Sequence, residues 1–147
     1  MTERRLFSRS CVVPLLALAL ASGCGTLKRL AYEVPGRDAS QQPDRVVAAL
    51  ALSPGALVAD LGAGGGYFTF RLANAVGPDG RVYAVDIDPD MLGYLRDRVR
   101  AEKRENIEVI EAASDDPRLP ERGVDLIFLC NTYHHLSDRV AYFSAPH

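Results

Sequence analysis

The sequence predicts an α/β fold, a doubly wound parallel sheet, and three observations carry that expectation. Short apolar runs alternate with amphipathic segments along residues 41–143. Two of the runs, Ala56–Leu61 and Val124–Cys130, lack the polar face of a half-solvated strand and read as strands covered on both sides. The first run ends in a glycine-rich turn that opens a helix, the βα junction at which such sheets bind ligands. With 147 residues there is room for one small domain, and 48% apolar with 24% charged residues is an ordinary globular balance.

The first 23 residues read as separate from the fold. Arg4, Arg5 and Arg9 form a positive segment, Cys11–Leu20 is apolar, and Ala21-Ser22-Gly23 is a small-residue cleavage site. Ten apolar residues are too few to span a bilayer as a helix, which needs about 20. The small residues stop at Cys24, which resembles a bacterial lipobox and implies lipidation of Cys24, hence a membrane-anchored lipoprotein on the periplasmic side. Ala21 stands where Leu is commonest, and a misassigned start would leave the chain cytoplasmic. Removing three Arg and one Glu takes the net charge from -2 to -4, which argues against a nucleic-acid substrate. Of three cysteines, only Cys130 would remain as a free thiol, expected as a packing residue.

Residues 24–38 read as the lipidated Cys and a linker, and 39–147 as the domain. A helix is expected over 41–52, with Pro43 in its first turn. Strand β1 follows at 56–61, then a helix over 66–76 with Phe68, Leu72 and Val76 on one face, stopped by Gly77-Pro78. Arg81–Val85 is expected as β2. Asp88 caps a helix with Pro89 at its first position, running to about Lys103. Asn106–Glu111 is expected as β3, 114–122 as a polar loop and Val124–Cys130 as β4. A further helix starts at Ser137-Asp138.

The chemistry sits at the strand exits. Val58-Ala59-Asp60-Leu61-Gly62-Ala63-Gly64-Gly65-Gly66 ends a strand in Asp and continues in alternate glycines, which let the backbone turn sharply and a ligand approach it closely. The helix behind this loop aims its first N–H groups at that ligand. A nicotinamide-cofactor fingerprint, G-x-G-x-x-G, would require Gly where Tyr67 stands, which disfavours an NAD(P)-dependent oxidoreductase.

Residues 58–66 resemble the first motif of class I S-adenosylmethionine-dependent methyltransferases, and Val85-Asp86-Ile87-Asp88 resembles the second. The resemblance implies that Gly62, Gly64 and Gly66 pack against the methionine and ribose parts of S-adenosyl-L-methionine. It further implies that Asp60 steadies the loop and the cofactor's amino group, and that Asp86 accepts both ribose hydroxyls. In the loop after β3, the family's adenine-holding acid falls on Ala113. Either the backbone amides of Ala113 and Ser114 or the carboxylate of Asp115 would take that role. Asn131-Thr132-Tyr133-His134-His135, after β4, resembles small-molecule methyltransferases of the quinone-biosynthesis-like group, with Asn131 near the cofactor and His134 and His135 as candidate bases. Two His could also bind a metal, but no carboxylate cluster of suitable spacing supports one.

The resemblance implies a Rossmann-like methyltransferase fold of seven strands in the order 3-2-1-4-5-7-6. The chain supplies about four, an incomplete sheet that would leave β4 as an exposed apolar edge prone to self-association. A small-molecule methyltransferase is therefore expected, with a non-catalytic, membrane-tethered cofactor-binding fragment as the alternative.

Overall fold

The computed structural model describes residues 36–121, 123–136 and 138–144. The export segment, Cys24 and the first part of the linker lie outside the described residues. Four strands form one parallel sheet in the order β3-β2-β1-β4, with β1 at Leu57–Leu61, β2 at Arg81–Asp86, β3 at Ile107–Glu111 and β4 at Leu126–Leu129. This is the strand order expected for the first half of the doubly wound fold.

The approach to β1 differs from the single helix expected over 41–52. Helix α1 spans Arg37–Gln41, across the boundary between the stretch read as linker and the domain, and α2 spans Pro43–Ala49. Gln42 separates them with φ 45°, and Pro43 begins α2 because it needs no N–H partner there. Helix α3 (Thr69–Val76) starts three residues later than expected, because Gly66 is left-handed (φ 88°) and bonds back to Ala63 across a tight turn. Helix α4 (Pro89–Ala101) is capped as its sequence foretells, the Asp88 side chain accepting from the amides of Asp90 (3.0 Å) and Met91 (3.4 Å). A 3₁₀ turn at Tyr133–His135 and helix α5 (Arg139–Ser144) follow β4.

The period-2 alternation of β1 and β2 divides the core. Val58, Val82 and Ala84 face Leu72, Val76 and Leu95 of α3 and α4, with Val46 and Val47 of α2 packed alongside. Ala59, Leu61, Tyr83 and Val85 face the other way, toward Leu119 of the β3–β4 connection and Tyr142 of α5, which is only 6% exposed. Strand β4 is shorter than its apolar run. Asp125, in that run, clamps its start, exchanging bonds with Leu57: its amide donates to the Leu57 carbonyl (2.8 Å) and its carboxylate accepts from the Leu57 amide (2.7 Å). Among the described residues β4 pairs only with β1, and Ile127 is 37% exposed.

Candidate cofactor and acceptor site

The C-terminal ends of β1, β2 and β4 meet at one edge of the sheet, and the loop leaving β1 is pinned there from two sides. The amides of Gly62 and Ala63 both donate to the Val85 carbonyl, at 2.8 and 3.0 Å. The Gly64 amide donates to Asp86 Oδ2 at 2.7 Å, while Asp86 Oδ1 accepts from the Asp88 amide at 3.0 Å. Gly62, Gly64 and Gly66 all have positive φ, at 79°, 52° and 88°, a region that side chains other than those of Asn and Asp rarely enter. Two of them also lack room for a side chain. A Cβ at Gly62 would lie 2.6 Å from Thr132 Cγ2, and one at Gly66 would lie 2.6 Å from Leu95 Cδ1.

Asp60 is 3% exposed and accepts the Thr69 hydroxyl at 2.6 Å, joining the end of β1 to the first residue of α3. Burial pushes its carboxyl up to about 6; the Thr69 hydroxyl opposes this and the nearby Asp86 charge adds to it. Ile87, between Asp86 and Asp88, is 64% exposed.

The expected adenine side is open. Asp115 is exposed, and the Ala113 amide already donates to the Asp116 carbonyl at 2.9 Å. At the β4 exit, Asn131 adopts φ 59° and Thr132 turns back over Gly62. His134 and His135 are both exposed, their rings 4.0 Å apart. Cys130 is partly buried, where a packing thiol was expected. It donates to Gln41 Oε1 at 3.5 Å, and burial pushes it up.

Asp60, the three glycines and Asp86 thus lie together at the β1 and β2 exits, whereas Asn131 is exposed and it is its neighbour Thr132 that lies over Gly62. Thr69, Thr132 and Ile87 were missed. Only Ile87 left a signal, an apolar residue between two acids at a strand exit.

The profile of the family described as "Methyltransferase domain" matches residues 58–145, which hold all of these groups. The chain belongs to this family. A SAM-dependent methyltransferase from Aquifex aeolicus, of known structure, is 30% identical, with a TM-score of 0.73 over 80% of this chain and 62% of that one. The arsenite methyltransferase of Halobacterium salinarum is 45% identical over 58 residues, 40% of this chain and 15% of that protein. The probable ribosomal RNA small subunit methyltransferase A of Methanosarcina mazei is 42% identical over 78 residues, 53% of this chain and 27% of that protein. The chain therefore spans less than a third of the length of these two curated relatives. Family membership leaves the nicotinamide alternative without an observation in its favour.

Proposed function

We propose that this chain holds S-adenosyl-L-methionine at the β1–β2 exits and belongs to an enzyme that transfers its methyl group to a small-molecule acceptor. The carrying observation is the glycine loop held by the Val85 carbonyl and the Asp86 carboxylate, with buried Asp60 at its start. Each Asp86 oxygen accepts one amide and keeps further lone-pair capacity for hydroxyl donors, as a ribose diol requires. Exposed Ile87 offers an apolar surface beside it for a flat base. Asp60, raised by burial, gains from a cationic amino group, which restores its charge. The residues fit the cofactor on these grounds.

The cofactor supplies an electrophilic methyl on a sulfonium. The chain's own contribution is to fix where that methyl lies, and positioning is a large source of acceleration in a two-reactant step. His134 and His135, exposed at the β4 exit, would take a proton from an oxygen or nitrogen acceptor. The acidic balance favours a small acceptor over nucleic acid, and the quinone-biosynthesis-like pattern after β4 suggests an aromatic one.

Two further properties belong to this proposal. Lipidation at Cys24 would tether the domain to a membrane, read out by radiolabelled fatty-acid incorporation that Cys24→Ala abolishes. The open β4 edge would let copies of this chain associate, read out by sedimentation, with Ile127→Lys returning the monomer.

The test of the function is transfer of labelled methyl from S-adenosylmethionine to a pool of small-molecule acceptors. Label should enter the pool with the native chain and drop sharply with Asp86→Ala. Equal transfer by that variant would remove Asp86 from the site.

A further inference from the structure

Thr132 has no part in the roles given so far, yet it touches both halves of the site. Its side chain fills the space over Gly62 so completely that an added Cβ there would meet Thr132 Cγ2 at 2.6 Å and Thr132 Cβ at 2.7 Å. Gly62 is itself fixed, its amide bound to the Val85 carbonyl one residue before Asp86. On the other side, the left-handed Asn131 (φ 59°) turns the chain so that Thr132 faces the loop, and the Thr132 hydroxyl donates to the Cys130 carbonyl at 3.2 Å. The Thr132 carbonyl then accepts the His135 amide at 2.9 Å, which closes the 3₁₀ turn carrying both histidines. A path from Asp86 to His135 therefore runs through the side-chain contact of Thr132 on Gly62.

We propose that Thr132 is the positioning residue that sets the histidine turn against the glycine loop, so that occupancy of the loop is felt at His134 and His135. The glycine at 62 exists for this contact as well as for its own φ of 79°. A side chain there would push Thr132 away and open the site between donor and acceptor. The proposal deepens the cofactor reading in its ligand-binding part. The contact between residues 62 and 132 stands without it.

The experiment has two arms on the full chain. In the ligand-free arm, thermal midpoints are measured for Gly62→Ala, Thr132→Gly and the double variant. Removing the Thr132 side chain makes room for the new Cβ, so the double variant should melt above Gly62→Ala alone. Additive shifts would overturn the contact, because residues in direct contact couple. In the second arm, ring resonances of ¹⁵N-histidine are followed as S-adenosylhomocysteine is added. The native chain and Thr132→Val, which keeps the shape, should show the His134 and His135 signals moving on binding. Thr132→Gly should bind about tenfold more weakly, a change well within the coupling range of contacting residues, and its histidine signals should stay still. Thr132→Ala gives the same reading, attenuated, if the glycine variant does not fold. Native-like affinity and histidine response in Thr132→Ala and Thr132→Gly would overturn the proposal. Absence of S-adenosylhomocysteine binding by the native chain would instead overturn the cofactor reading, leaving the first arm to judge the contact.

Discussion

The two sides of the site are built differently. On the proposed donor side, Asp60 is buried, the glycine loop is bound to Val85 and Asp86, and Asp88 caps the next helix. On the proposed acceptor side, Asn131, Tyr133, His134 and His135 are exposed on a short turn after β4. The proposed donor side is fixed by bonds from the loop amides to the Val85 carbonyl and the Asp86 carboxylate of the adjacent strand. The acceptor side hangs on β4, which has one neighbour among the described residues, and on the Thr132 contact.

The comparison breaks most visibly at the histidines. His134→Gln and His135→Gln should leave S-adenosylhomocysteine affinity unchanged, while the more important of the two lowers methyl transfer by about 10²–10⁴-fold, the usual worth of a general base. Label-transfer rates beside calorimetric titrations separate the two effects. A loss of affinity instead would mean that the histidines belong to the donor side.

Gly66→Val should damage the donor side structurally. Its Cβ would strike Leu95 and Phe70, and its φ of 88° adds strain, together a loss of about 3 kcal/mol in urea unfolding.

A pH effect of similar size should trace to Asp60. Its folded carboxyl stands at about 6, above the ordinary 3.8, so between these values the folded chain holds a proton that the unfolded chain has released. Stability should therefore fall as pH rises through that window, by about 3 kcal/mol in all. Asp60→Asn should flatten the profile in urea titrations from pH 4 to 7. A cationic ligand amino group near Asp60 would reverse the shift, so binding near pH 6 should release protons.

The smallest expected effect sharpens the division within β2's exit. Asp88→Ala should cost about 1 kcal/mol of stability through its lost cap, with ligand affinity retained. A larger loss of affinity than of stability would move the ligand contact from Asp86 to Asp88.

What the sequence made legible was local. The Asp-and-glycine run, the Asp88-Pro89 cap and the alternation of strands and helices each act within a few residues, and the strand order followed. What it hid depends on contacts between distant segments. Pro43 marks a helix start, but nothing nearby announces a second helix before it. The two part where α1 reaches over to the site: Asp38 accepts the Tyr67 hydroxyl at 2.5 Å and the Arg71 guanidinium at 3.2 Å, and Gln41 receives the Cys130 thiol. The 70-residue separation of Gly62 and Thr132 hid their contact in the same way. Asp60 stood out in the sequence, but its bond to Thr69 did not, because the helix was expected to begin at Gly66 and begins at Thr69.

The central claim is that the loop from Asp60 to Gly66, with Asp86, holds the methyl donor. Calorimetric titration of S-adenosylhomocysteine into the full chain and into Gly64→Val tests it most directly, with circular dichroism checking that both are folded. The account predicts one site per native chain and none in folded Gly64→Val, where a branched side chain stands in the loop that must approach the ligand. Equal affinity in the two proteins would contradict it.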